Sequence, residues 1–436
     1  MNRVDPVAVT PASAAGPSLL FDSRRQLMAA MIGNLFEYYD FLVYAFLAAT
    51  LARKFFHDSH LAGLLATFAA FGVGFLARPV GGALIGRLAD KRGRRVALLI
   101  TIFGMAIGTV GVGLLPTYKT IGVFAPLLLV LLRLVQGLAA GGEWGSSTAF
   151  IVESAPPAQR GLYGGFSQSS IAGSTLICSV IVAIVSVIFT PAQLDNWAWR
   201  VPFLLGAVLL PVGIYMRRNV AETPSFVQAN ADPARSARLQ MGSAMALMGK
   251  AFGFTVVWTV AYYLMLVYMP TFLSKHAGLT QTQALVSNSI ALVILVVVTP
   301  CFGWLSDRIG RKPLLLGCCA GCVLLSYPLF LVLISGVSFL TIVAVQILFD
   351  LLLGAFSGAG PAALCELFPT QSRTMLMSIG YSLSTALFGG FAPFISTWLI
   401  GATGSPISPA LYLCAAGIVS GLVIWTLRET AHERLA

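Results

Sequence analysis

The chain has 436 residues, of which 57% are hydrophobic and only 10% charged, against about 25% charged in an ordinary soluble domain. This composition excludes a water-soluble globule and describes a membrane protein. The net charge of +11 would suit a nucleic-acid partner, but the cations sort by loop instead of forming one surface, so the charge reports topology and no nucleic-acid partner is expected.

Residues 1–23, with "PVAVTPASAAGP", read as a disordered cytoplasmic tail. They lack the charged n-region, short apolar run and cleavage site of a signal peptide, so the first span is expected to be retained. Apolar runs long enough to cross about 30 Å of hydrocarbon then recur along the chain. Twelve are predicted, centred near residues 38, 74, 106, 133, 175, 207, 259, 293, 323, 350, 387 and 418. They leave no room for a large soluble domain. Arg87, Lys91, Arg92, Arg94 and Arg95 fall between spans two and three, Arg217, Arg218, Arg235, Arg238 and Lys250 between six and seven, and Arg308, Arg311 and Lys312 between eight and nine. The opposite side holds only Arg53, Lys54, Lys119, Arg200 and Lys275. By the positive-inside rule both termini are expected to be cytoplasmic.

Span one, "GNLFEYYDFLVYAFLA", carries Glu37 and Asp40 three apart, hence on one helix face. Both lie roughly 16–21 Å from the cytoplasmic start of the span. An intramembrane carboxylate is functional by default, with a structural hydrogen-bonding role as the alternative. Arg78 lies roughly 12 Å from the cytoplasmic end of span two; it either docks an anion or snorkels to pin the following loop. In span four Arg133, Gly137 and Gly141 are spaced by four and share a face. Small residues at that spacing let helices pack closely. Arg133 is about 16 Å deep, where a charge costs about 2.5–3.5 kcal/mol, which predicts a partner or an aqueous cavity. Glu143 and Asp350 are weaker candidates, Asp350 being at midplane depth and able to pair across the molecule. Tyr39, Gln136, Gln168, Asn288, Tyr262, Tyr263 and Tyr381 are candidates to line a cavity. The four histidines fall in loops or the tail, and the seven cysteines, "CCAGC" included, read as small hydrophobes and not as a metal cluster.

The chain repeats itself. "GRLADKRGRR" from Gly86 and "GWLSDRIGRK" from Gly303 are 217 residues apart, and the same shift carries Arg133, Gly137 and Gly141 onto Asp350, Gly354 and Gly358. "ESAPPAQR" at Glu153 matches "ELFPTQSR" at Glu366, each ending on an arginine, Arg160 and Arg373. The partners of Glu37 and Asp40 are Phe254 and Val257, so the acids are confined to one half. The organisation expected is a tail (1–23), an N-terminal six-helix bundle (24–216), a cytoplasmic linker (217–243), a C-terminal six-helix bundle (244–428) and a cytoplasmic tail (429–436). Such duplication suits transporters that rock two halves about a central site. In the paired loops, Asp90 with Arg94 and Asp307 with Arg311 fit a conformational latch: the carboxylate lies against a helix N-terminus or pairs with a cation, and either contact breaks when helices slide. Glu153, Arg160, Glu366 and Arg373 are candidates for the same latch.

These paired loops, with twelve spans and a central linker, resemble the major facilitator superfamily. "GNLFEYYDF", "FLARPVGG", "GLAAGGEWG", "WAWRVPF" and "ETPSF" are similar to its metabolite:proton symporter family, whose members take up citrate, 2-oxoglutarate, shikimate, proline or betaine. "YYLMLVYMPTFL" is closer to the proline/betaine branch, "LFGGFAPFISTWL" and Arg133 to the citrate branch. The resemblance implies an all-α membrane protein of two pseudo-symmetric six-helix bundles in a bacterial-type inner membrane, acting as a monomer by alternating access. The function expected is import of a small carboxylated metabolite, such as citrate or another di- or tricarboxylate, in symport with protons. Arg78 and Arg133 would dock the carboxylate; a zwitterionic osmolyte is the alternative substrate. Asp40 is read as the main proton carrier, with Glu37 beside it and Arg133 opposite. The rivals are an uncoupled facilitator and a drug exporter, though span five lacks the proline of exporter motifs. No cofactor besides the coupling proton is expected. An enzyme is not expected either: there is no G-x-x-x-x-G-K-[ST] loop, zinc spacing or triad.

Overall fold

In hydrocarbon every backbone N–H and C=O must be satisfied within its own segment, which leaves helices as the means for a single chain of this pattern to cross. The computed structural model describes residues 17–57, 61–92, 94–141, 143–208, 241–369 and 373–431. Among the described residues all regular structure is helical. Eight helices are long and apolar enough to cross a membrane, a bent pair (Met31–Phe46 and Ala48–Phe55) makes a ninth, and three shorter apolar helices (Ile100–Leu114, Phe124–Ala139 and Ala198–Val208) stand where spans three, four and six are expected. The architecture is the twelve-helix one. Side chains such as Leu324, Leu340, Val187 and Trp425 point outward, each about 70% exposed. In water they would form an adhesive surface; in a bilayer they are the lipid face.

Helix already covers Pro17 and Met241, the first described residues of their segments, which fall within the stretches expected as tail (1–23) and linker (217–243). Residues 1–16, 217–240 of the linker and 432–436 of the C-terminal tail lie outside the described residues.

Several spans are interrupted where the interior needs room. Span one bends by 61° between Phe46 and Ala48. Spans seven and eleven carry π-helical stretches, Tyr262–Tyr268 and Thr385–Gly389, a feature that gathers at functional sites because it displaces backbone and side chains from the regular ladder. Span eight (Gln281–Ile309) starts with a capping box between Thr280 and Gln283 and ends at Gly310, whose φ of 101° only glycine adopts without strain. Glycines set the closest helix crossings. A methyl group at Gly137 or Gly141 of span four would enter the backbone of span two, and one at Gly358 of span ten would enter that of span eight. The glycine stripe thus packs helices inside each bundle. Gly161 of span five and Gly303 of span eight provide the corresponding approach between the bundles.

Candidate functional site

Charged side chains enter the N-terminal bundle, and the surrounding aromatic rings decide where each one points. Arg133 is fully buried. Its guanidinium carbon lies 4.5 Å from the ring centre of Tyr44, 4.9 Å from Phe41 and 5.1 Å from Phe71. Nη1 donates to Gln136 Oε1 at 2.6 Å. These ring faces attract the cation and stand where a carboxylate partner was expected. Arg78, at the start of the second segment of span two (Arg78–Arg92), lies 4.1 Å over Phe41 and 4.5 Å over Phe75. The two arginines therefore share the Phe41 ring. Arg78 is within electrostatic reach of Glu37 and of the hydroxyls of Tyr38, Tyr263 and Tyr381, which places buried Glu37 on the Arg78 side.

Asp40 faces elsewhere, a correction to the expectation of Glu37 beside it and Arg133 opposite. Residues three apart on a helix are still offset by about 60° around its axis, and here the offset sends Asp40 toward spans three and six. Its carboxyl lies beside Thr109 and against Gly206, where a methyl group would come within 2.9 Å of Oδ1. Oδ1 is buried with no hydrogen-bond partner. The Thr109 hydroxyl donates to the Met105 carbonyl at 3.1 Å and accepts from Gln136 Nε2 at 2.7 Å. Gln136 Nε2 also approaches the Asp40 carbonyl oxygen at 3.3 Å. Asp40 and Arg133 are thus joined in series through Thr109 and Gln136, with no direct ion pair. Gln136 belongs to this relay and not to a cavity wall. Tyr39 is also corrected: its hydroxyl donates to the Pro202 carbonyl at 2.7 Å and ties span one to span six.

Between the bundles, Tyr38, Gln168, Ile171, Trp258, Thr259, Tyr262, Tyr263 and Tyr381 enclose a cavity of about 10 Å³, roughly the least that holds one water. Of the candidates for a cavity wall, Gln168, Tyr262, Tyr263 and Tyr381 line it. Trp258 and Trp144 are not among those candidates. Trp144 stacks on Tyr381 with ring centres 3.6 Å apart and meets Trp258 edge-on at 5.8 Å. The one available signal was the run of large aromatics at Trp258, Tyr262 and Tyr263, which matches ordinary packing equally well.

Contacts between helices flank the cavity toward both ends. At the end carrying the 307–312 loop, here the basic end, the Asp307 carboxylate accepts from the backbone N–H groups of Gly161 and Leu162, both at 2.9 Å, at the N-terminus of span five. Arg311 pairs with Asp307 at 2.7 Å and with Glu366 at 3.3 Å. Arg373 pairs with Glu153 across the bundles at 2.7 Å, while Arg160 acts on Glu366. The two Glu…Arg repeats thus exchange partners between halves. The side chains of Asp90 and Arg94 lie outside the described residues, as does that of Glu143. At the opposite end Phe68 meets Tyr268 with ring centres 5.6 Å apart, and a methyl group at Gly72 or Gly401 would strike Phe391 or Leu61. Asp350 was expected to be able to pair across the bundles; it is buried and makes no ion pair among the described residues.

Comparison with known proteins places this geometry. The sequence profile described as Major Facilitator Superfamily matches residues 30–340 and 290–436. The chain is 34% identical over 394 residues to the citrate-proton symporter of Klebsiella pneumoniae, covering 88% of this chain and 87% of that protein. It is 33% identical over 426 residues to the proline/betaine transporter of Escherichia coli K12, covering 94% and 85%. Its fold is similar to the crystal structure of a D-xylose-proton symporter, with a TM-score of 0.76 at 20% identity over 95% of this chain and 99% of that one. These relatives are transporters, not enzymes.

Proposed function

The chain belongs to the major facilitator superfamily, and from that premise we propose that it is a proton-coupled symporter. It carries a small carboxylated metabolite into the cell across a bacterial-type inner membrane, with both termini and the basic end cytoplasmic. The aromatic cavity between the bundles opens to each side in turn.

The surroundings of Asp40 carry the proton reading. The Thr109 hydroxyl has one proton and two lone pairs; its proton goes to Met105 and one lone pair to Gln136. The lone pair that is left accepts from a protonated Asp40, whereas an ionised Asp40 finds no donor there. The arrangement seen here therefore suits the neutral acid. Ionisation would turn the Thr109 hydroxyl toward Asp40, disturb Gln136 and so draw Arg133 away from a substrate carboxylate, whereas protonation leaves Arg133 free to take it. Proton and substrate then favour each other's binding, the reciprocity that symport needs.

The cavity lining favours the zwitterionic alternative among the carboxylates. Citrate would bring several negative charges to a cavity where the nearer arginine, Arg78, is already offset by Glu37. A proline- or betaine-like solute brings one carboxylate for Arg78 and an onium head for the faces of Trp258, Tyr262, Tyr263 and Tyr381. Thermal shift of the purified protein decides between them. Proline or betaine should raise the midpoint, since a ligand at a hundred times its Kd adds about 2.7 kcal/mol to the native state. A shift with citrate alone would reverse the assignment. For orientation, a cysteine placed in the 217–243 linker should label from the cytoplasm only, and one beside Lys119 from outside only.

The latch reading assigns Asp307, Arg311, Glu153, Arg160, Glu366 and Arg373, and by repetition Asp90 and Arg94, to closing the cytoplasmic side.

A further inference from the structure

The C-terminal bundle holds one buried carboxyl that the relay and the latch do not use. Asp350, in span ten (Phe339–Glu366), is 2% exposed. Its Oδ2 has no hydrogen-bond partner, and one helical turn away both side-chain atoms of Gln346 are buried and unpartnered as well. Residues four apart lie on one helix face, so the orphaned groups form a single polar patch inside the bundle. The position of the patch follows from its neighbours. Gly354, the next turn on, packs on Leu295 and Val298 of span eight, and Gly358 on Thr299 and Phe302. By this register Gln346 and Asp350 stand level with about residues 288–293 of span eight, where Asn288 gives its amide to the carbonyl of Leu266 in the π-helical stretch of span seven, at 3.1 Å.

Among the described residues no cation pairs with this carboxyl. Glu153, Arg160, Lys250, Asp307, Arg308, Arg311, Lys312, Glu366 and Arg373, the charged groups on the described elements packed against span ten, gather at the basic end; Glu366 is sixteen residues, or about 24 Å, along the same helix. The titratable neighbours nearer its depth are uncharged tyrosines and thiols: Tyr262, Tyr263 and Tyr268 of span seven, Cys318, Cys319, Cys322 and Tyr327 of span nine, Cys178 of span five and Tyr381 of span eleven. A carboxylate buried with no counter-charge is costly, and such a group takes up a proton instead.

We propose that Asp350, with Gln346 one turn away, is a second proton-binding site, neutral while the C-terminal bundle is packed as seen here and ionised only in a conformation that lets water reach span ten. It lies outside the cavity and apart from the Asp40 relay, so the N-terminal bundle binds a proton next to the substrate machinery and the C-terminal bundle binds one that reports its own packing. The consequence for transport rests on the symporter reading; protonation itself does not.

The test separates the two. On purified wild-type protein, infrared difference spectra against Asp350→Asn should show a carboxylic-acid C=O band at neutral pH that fades in strong alkali. A pH-metric titration of the variant should release one proton fewer per molecule than wild type. Asp350→Glu should restore the band, which guards against a variant that merely misfolds. In liposomes, Asp350→Asn should move fewer protons per substrate and still exchange substrate. Absence of the band, with equal proton release, would mean that Asp350 is ionised throughout and would overturn the proposal. So would stabilisation of wild type, but not of Asp350→Asn, by sodium or potassium chloride, which would make the patch a metal-cation site. The band and proton release intact with unchanged coupling would overturn only the transport role.

Discussion

The two bundles share a packing plan and differ in where they keep charge. In each, a glycine stripe on one helix lies against a neighbour: Gly137 and Gly141 on span two, Gly354 and Gly358 on span eight. Yet the position of Arg133 in the first half is held by Asp350 in the second, and the positions of Glu37 and Asp40 by Phe254 and Val257, both fully buried. Packing tolerates duplication because it needs only shape. A polar network does not, since each buried member requires a particular partner. In the N-terminal bundle the charges are linked, and moving one proton can rearrange its neighbours; in the C-terminal bundle Asp350 has no ionic partner among the described residues and can change only its proton.

Breaking the linked side should have the largest effect. Arg133→Ala removes the cation from the Phe41, Tyr44 and Phe71 faces and leaves Gln136 Oε1 unsatisfied, costing about 1–3 kcal/mol for that atom alone. Uptake and substrate counterflow should both vanish in proteoliposomes. Arg133→Lys should not restore them, because an ammonium cannot stack its plane on three rings. Counterflow at the wild-type rate in either variant would remove Arg133 from the substrate step.

The next effect is a division of activities. Asp40→Asn imitates the protonated acid permanently, so substrate exchange should persist while accumulation driven by a pH gradient disappears. Thr109→Val, nearly isosteric but without the hydroxyl, should lower the accumulation ratio without abolishing exchange. If Thr109→Val accumulates as wild type does, the link from Asp40 to Arg133 does not pass through Thr109. If Asp40→Asn accumulates, Glu37 is the carrier.

At the basic end the comparison is between one loop and its repeat. Asp307→Asn weakens a helix N-terminal contact and a buried pair with Arg311, together about 1–2 kcal/mol. That corresponds to roughly a 5–30-fold shift away from the closed cytoplasmic side, readable as faster labelling of a cysteine in the cavity from that side. Asp90→Asn should act in the same direction. Glu153→Gln should shift labelling less, since that carboxylate is 24% exposed and its pairing with Arg373 is screened.

The contrast also explains what the sequence could and could not reveal. Twelve spans and the two-fold repeat were legible because hydrocarbon thickness imposes a length and duplication leaves matching loops. Arg133 and Asp40 stood out because charge in a membrane is conspicuous. Their relation was not legible. The roughly 60° between Glu37 and Asp40, the turn of Arg133 into three rings and the passage through Thr109 and Gln136 are set by helix rotation, which spacing alone does not supply. Trp144 and Trp258 were hidden for the opposite reason: an aromatic residue in an apolar helix looks like packing until its neighbours are known.

The smallest effect is expected outside the membrane, where a charge does meet partners of its own. Glu429 accepts from the backbone N–H groups of Arg311 and Lys312 at 2.9 Å each, at the N-terminus of span nine. Burial would raise its pKa, but these donors, with those of Ala431 and Thr430, outweigh it and hold the carboxyl below the usual glutamate value. A pKa lowered by folding means a contribution that is fully present above the unfolded-state value and lost as pH falls through the folded-state value. The clamp therefore operates at neutral pH and survives mild acid, so it cannot sense the pH range in which a proton symporter works. Glu429→Gln should lower stability at pH 7 by no more than about 0.3–1 kcal/mol, nearer the lower figure because the carboxylate is solvent-screened. The difference in melting temperature between variant and wild type should close as both are taken into strong acid, and the pH profile of uptake should keep its wild-type shape. A difference that widened in acid, or a displaced uptake profile, would show that the coupling proton is read at this surface clamp instead of inside the bundles.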